Sequence, residues 1–206
     1  MMLFKTIEKE ASVEQIIEKS KFIAHVSPAN SKEEGDAFIA KIKGAHKGAT
    51  HNVPAMVIGD KFQIQWASDD GEPQGTAGAP IVQMLVSEGI TNVAVVITRY
   101  FGGVKLGTGG LVRAYTSSAK QGIAEAQVIS IREMEHITAS FAYCFLDKLQ
   151  NSSVEEGFNM AEIAYTDQVK ATFSTDPEHS ENMEKMLNNV TNGTVKIINR
   201  KVLQTR

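Results

Sequence analysis

The chain has 206 residues, 42% hydrophobic and 22% charged, which is enough for one large core or two small ones. Its formal net charge of −3 excludes a protein that coats nucleic acid through a general basic excess, and DNA sequence readout is not expected. Cys144 is the single cysteine, so no intrachain disulfide can form and a reducing, cytoplasmic setting is expected.

The opening residues, MMLFKTIEKE, lack the apolar core of a signal peptide. No apolar run approaches the ~20 residues needed to cross a membrane. The alternation of apolar residues predicts short strands over 13–17 and 21–26 around Glu18-Lys19-Ser20. Ser31 with Glu34 three residues on is a capping box, and the helix it opens buries Phe38, Ile39 and Ile42 before ending near Gly44. Strands over 53–58 and 62–66 flank Gly59-Asp60, a hairpin turn pair. A polar loop over 68–75 leads to a helix over 79–87, with Pro80 suited to its first turn. A buried strand over 92–97, a glycine-rich turn, a helix over 111–126 and a strand over 128–131 complete the first half.

The second half has the order β-α-β-β-α-β: a strand over 137–145, a helix over 146–156, strands over 159–165 and 168–174, a helix over 177–189 after Asp176, and a strand over 195–203. Cys144, inside the apolar run FAYCF, is expected to be packing. The expected fold class is α+β with two domains, residues 1–133 and 134–206. The first carries 14 Lys and Arg against 14 Asp and Glu, the second 7 against 10. Only a local basic patch could therefore meet a nucleic acid.

That patch is residues 98–115, TRYFGGVKLGTGGLVRAY, with five of the sixteen glycines, three cations and no acid. A glycine-rich turn between a strand and a helix can leave N–H groups free for an anion. Candidate binding residues are Arg99, Tyr100, Phe101, Gly102, Gly103, Lys105, Gly107, Thr108, Gly109, Gly110 and Arg113. The loop is not a Walker A motif, because Thr108 stands where lysine is required, and its glycine spacing is not the dinucleotide fingerprint. Its form, LGTGGLVRA, resembles the phosphate loop of GHMP kinases. The other reading is a tight turn in which glycine permits positive φ.

Ser68 to Gly75, SDDGEPQG, has three carboxylates in four residues. Asp69, Asp70 and Glu72 could hold a hard cation, form a solvated turn, or pair with Arg99 or Lys105 and fix the glycine loop. His51, at a strand start, could form an acid–base pair or half a metal site with Asp69 or Asp70. No complete metal-ligand set or catalytic constellation appears, so no metal is expected and a binding role ranks above an enzyme.

SKFIAHV (20–26), DDGEPQGTAGAPI (69–81) and VVITRYFGGVKLGTGGLVRAY (95–115) together resemble the IMPACT/YigZ family. The resemblance implies a first domain like domain 2 of a small-subunit ribosomal protein, an α/β sandwich shared with GHMP kinases. It implies a ferredoxin-like second domain similar to late domains of elongation factor G. Family members often carry a second histidine and then a cysteine after the position of His51; here Asn52 and Val53 follow. Eukaryotic relatives regulate translation by competing for an activator of the kinase that senses uncharged tRNA. The resemblance thus implies a translation-associated regulator that binds RNA, the ribosome or a translation protein, with no cofactor, as a monomer or homodimer. The alternative is a phosphate- or nucleotide-binding enzyme that uses the glycine loop and, through the acidic loop, magnesium.

Overall fold

The structure, a computed structural model, describes residues 2–205. It is α+β with two compact units, Phe4–Ser130 and the chain from Ile131 onward joined by the residues before Phe4.

The first unit is built on an antiparallel sheet of five strands in the order β2–β3–β6–β4–β5. These are β2 (Ala11–Ile17), β3 (Ser20–Pro28), β4 (His51–Ile58), β5 (Ile64–Ala67) and β6 (Val93–Tyr100). β6 is central, and its first seven residues are buried on both faces. Consecutive strand residues face opposite ways. Val93, Val95 and Ile97 therefore join Phe22, Val53 and Ala55 in the larger core, under α2 (Gly78–Ser87) and α3 (Gly107–Glu125). Ala94 and Val96 join Phe38, Ile39 and Ile42 of α1 (Lys32–Ala45) in the smaller core on the other face. Ser31 caps α1 by accepting from the Glu34 N–H at 3.2 Å, while Glu34 reaches back to the Asn30 N–H at 2.7 Å.

The second sheet has five strands: β7 (Val128–Phe141), β8 (Asn159–Tyr165), β9 (Val169–Thr175) and β10 (Lys196–Thr205) are antiparallel in the order β10–β7–β9–β8, and β1 (Met2–Ile7) also pairs β7. This is the ferredoxin-like arrangement. Phe141, Phe173 and Ile137 pack with Leu149 of α4 (Leu146–Glu155) and Leu187 of α5 (Ser180–Val190).

Several expected boundaries shift. The strands expected over 128–131 and 137–145 are one strand, β7, which stops at Phe141 and gives way to a single 3-10 turn, Tyr143–Phe145. Cys144 lies on that turn and is exposed rather than packed. The chain after Gly59 needs a longer turn, with Phe62 at φ +57°, so β5 begins only at Ile64. A strand at the start, β1 (Met2–Ile7), was not expected; Phe4 and Ile7 are nonetheless buried. The long helix opens at Gly107 rather than at residue 111, so the four residues Gly107 to Gly110 are its first turn and not a free loop. Among the described residues no helix is long and apolar enough to cross a membrane.

One buried histidine belongs to the fold rather than to the glycine side. His25 of β3 meets Ser12 Oγ through Nδ1 at 3.0 Å, and its ring centroid lies 4.8 Å from that of His46. Its Nε2 is buried without a partner. Burial first, then the neighbouring His46, lowers its pKa to about 4; Glu10 pulls weakly the other way, and Lys41 adds to the lowering. A base with a depressed folded-state pKa stabilises the fold above its unfolded value and loses that contribution as pH falls. The stability advantage of the natural chain over His25→Gln should therefore shrink as pH falls from about 6.5 to about 4, measured as the difference in Tm. A difference that stays flat over that window would refute the assignment.

Candidate functional site

The site begins with strand register. Phe22 of β3 and His51 of β4 stand opposite Arg99 of β6, one on each side. Three adjacent strands thus set an aromatic ring, a guanidinium and an imidazole in one row on the face covered by α3. Tyr100, the next residue, points to the α1 face, where its hydroxyl meets His46 Nδ1 at 3.0 Å. Tyr100 is therefore separated from Arg99 and Phe101, with which the sequence had grouped it.

Arg99 is 5% exposed. Its Nη1 donates to Glu72 Oε1 at 2.6 Å, and its Nη2 reaches Ser20 Oγ at 3.4 Å. The guanidinium lies between the rings of Phe22 and Phe101, 5.4 Å from each centroid. Tyr115, on the buried face of α3, donates its hydroxyl to the same Glu72 oxygen at 2.7 Å. Burial first, then the Glu72 carboxylate, pushes the Tyr115 phenol well above its ordinary value, so it remains a donor. Glu72 itself is 8% exposed. A carboxylate this dry needs its charge met, and Arg99 and Tyr115 meet it.

His51 donates from Nδ1 to the carbonyl oxygen of Asp70 at 2.8 Å. When the ring is neutral, that bond leaves Nε2 as its bare nitrogen. Nε2 faces Glu72 Oε1 at 3.8 Å. The carboxylate near the imidazole is thus Glu72, and not Asp69 or Asp70 as the sequence suggested, because the turn at Asp70, φ +50°, offers its carbonyl instead.

The acidic loop divides its three carboxylates. Asp69 accepts from the N–H groups of Gly75, Ala77 and Gly78 at 2.7, 3.1 and 2.9 Å, and so holds the start of α2. Burial raises the Asp69 pKa, but these three donors outweigh it and the carboxyl sits below its ordinary value. Asp70 takes the Lys43 ammonium at 2.6 Å and the Asn52 N–H at 2.7 Å. Glu72 takes Arg99. Three carboxylates with three different sets of partners do not converge on one cation. Among the described residues no three His, Cys, Asp or Glu side chains gather as a metal-holding group.

The turn after β6 is pinned at its start. The Phe101 N–H donates to Thr50 Oγ1 at 2.9 Å and the Gly102 N–H to Ser20 Oγ at 3.1 Å. At Gly102 a Cβ would stand 1.9 Å from the carbonyl oxygen of Lys19, so only glycine fits. Gly107 has φ +70° and turns the chain into α3. Between this turn and the row of strand residues lies a cavity of about 490 Å³. Its apolar walls include Pro73, Phe101 and Leu111; His51, Glu72 and Lys105 supply polar groups. Gly107 and Thr108 of the α3 first turn also line it, and no acidic residue stands in that turn. Phe101 is 47% exposed. Gly110 and Arg113 line a second cavity instead, while Gly102, Gly103 and Gly109 line neither.

The sequence reading missed Tyr115, Ser20, Phe22 and Thr50. Tyr115 had a signal: a phenol on a mostly apolar helix face, with Leu111, Ala114, Ala119 and Ile123, needs a polar partner inside. The others are brought in by register alone.

Compared with known proteins, residues 18–123 match the Impact N-terminal domain and residues 140–194 match a domain of unknown function, DUF1949. The chain is 39% identical over 188 residues to the IMPACT family member YvyE of Bacillus subtilis (strain 168), covering 91% of this chain and 87% of that protein. It is 36% identical over 94 residues to Protein IMPACT of Mus musculus, 43% of this chain and 29% of that protein. A crystal structure of a hypothetical protein superposes with a TM-score of 0.60 at 26% identity, covering 96% of this chain and 97% of the other.

Removing one partner of a buried ion pair typically costs about 3–5 kcal/mol because the other charge is stranded. Glu72→Gln and Arg99→Met should each lower stability by about that much, and the double variant by clearly less than their sum. Denaturant unfolding of the four proteins checks this; additive losses would show that the pair is not coupled.

Proposed function

The chain belongs to the IMPACT family, and on that footing we propose that it is a binding module acting in translation, whose ligand is single-stranded RNA. The observation that carries this reading is the exposed Phe101 ring at the wall of a cavity that also presents Lys105, which forms no ion pair with another described residue, and the first turn of α3. Single-stranded RNA is held by bases on aromatic faces and phosphates on cations, and this cavity offers one of each within a single turn of chain. The near-neutral first domain suits a local contact rather than general coating of nucleic acid.

A translation role follows what the family resemblance implies for its eukaryotic members, and the setting expected for it is the cytoplasm. The reading requires neither catalysis nor magnesium, since Asp69, Asp70 and Glu72 are already engaged by protein donors. His51 Nε2, next to Glu72, would serve as an acceptor for a base or ribose donor.

Fluorescence anisotropy with a labelled uridine decanucleotide, at low salt, tests the proposal. Binding should weaken as salt rises, and Phe101→Ala should weaken it by about 1–3 kcal/mol, roughly 5- to 150-fold. Lys105→Ala should weaken binding and reduce the slope of log Kd against log salt by about 0.7. Absence of binding at low salt, or variants that bind like the natural chain, would overturn the proposal. A nucleoside triphosphate that binds where the RNA does not would favour the enzyme reading instead.

A further inference from the structure

A second cavity, again about 490 Å³, lies on the other side of the Lys105–Leu106 segment. Lys105 and Leu106 line both cavities, so this segment is a ridge between two equal hollows. The second hollow is walled by Ile17, Val104 and Ala114, and carries Glu18 and Arg113 as its other charged groups.

Charge on the ridge is not balanced from within. Neither Lys105 nor Arg113 forms an ion pair with another described residue; Lys21, Lys43 and Arg99 of the same unit do, and the exposed Lys19 and Lys47 do not. Arg113 projects back along α3, as helix side chains do. Its Nη1 is the one atom near the place a Cβ would take on Gly109, at 3.9 Å. Lys105 and Arg113 thus gather at the positive end of α3, where cations are electrostatically disfavoured unless something negative joins them. Glu18 cannot be that group for both cavities, because it lines only the second one.

Resting on the RNA reading above, we propose that the two cavities take two successive nucleotides, with the phosphate that joins them on Lys105 at the ridge and Arg113 serving the second nucleotide. The first base stacks on Phe101 in the first cavity. The second nucleoside enters the cavity of Glu18 and Arg113, where a carboxylate refuses a phosphate but accepts N–H or O–H donors of a base or ribose. The site is therefore built for a dinucleotide step, and a mononucleotide occupies only half of it.

Titration calorimetry of the full chain with uridine 5′-monophosphate and with 5′-phosphorylated di-, tri- and tetrauridylate tests this at low salt. Affinity should rise roughly tenfold or more from mono- to dinucleotide and change little per added unit beyond that. Arg113 is exposed, so Arg113→Ala should fold normally. It should lower dinucleotide affinity about fivefold or more while leaving mononucleotide affinity within about twofold. Phe101→Ala should weaken both ligands. A smooth rise with length and no step at two, or an Arg113→Ala loss equal for both ligands, overturns the two-cavity assignment while leaving RNA binding intact. No binding by any length removes the RNA reading itself.

Discussion

Arg99 carries a full charge at a position almost closed to water, and the first unit is arranged around meeting it. A guanidinium cannot shed its proton to escape burial, so the fold must bring a carboxylate to it. Glu72 comes from a loop 27 residues earlier and is reached by Arg99 Nη1 at 2.6 Å. The same oxygen receives the Tyr115 hydroxyl from α3. One carboxylate therefore ties the central strand, the acidic loop and the long helix together. Ion pairs of this kind add little net stability over an apolar replacement, but they tolerate few alternative arrangements. What this pair fixes here is the guanidinium, which lies 5.4 Å from the Phe22 and Phe101 ring centroids, with His51 Nε2 3.8 Å from its partner Glu72.

The acidic loop is best understood as a clip. Its carboxylates look from sequence like a ligand set, but each is already engaged by the protein. Asp69 satisfies N–H groups that the start of α2 would otherwise leave open, Asp70 holds Lys43 and the Asn52 N–H, and Glu72 holds Arg99. The turn at Asp70 also aims a carbonyl at His51 and so fixes which imidazole nitrogen is bare. The consequence for function is indirect. With these acids engaged, none of the three forms an ion pair with Lys105 or Arg113, and Glu18 is the other carboxylate that lines the second cavity. An overall neutral domain can in this way present a local anion-seeking surface.

Much of this was legible in the chain. The order of elements followed from periodicity, the capping pair Ser31 and Glu34 works as expected, and the three motifs place the chain in its family. The second unit was readable as β-α-β-β-α-β, and the strand order β10–β7–β9–β8 agrees with it. Where local signals failed, tertiary contacts had overridden them. β7 runs on from residue 128 to 141 because its polar middle, Arg132 to His136, pairs with β10 and, in its latter part, with β9. Gly107 to Gly110 are helical despite glycine's poor propensity, in a helix whose buried face packs Leu111, Ala114 and Tyr115 into the core.

The sequence by itself determined the family and the two-part α+β plan, and it marked out the stretch 98–115 as a candidate site. Composition, periodicity and spacing are local quantities, and these are what they can report. Only the tertiary structure decided which residues of that stretch act together. Alternation in β6 sends Tyr100 away from Arg99, and antiparallel register brings Phe22 and His51 to it from residues 77 and 48 positions away in the chain. Helix geometry then sets Tyr115 on Glu72 and sends Arg113 to the second cavity. Partner choice across such distances depends on register and on the need of buried charges to be met, and neither is written in any short segment.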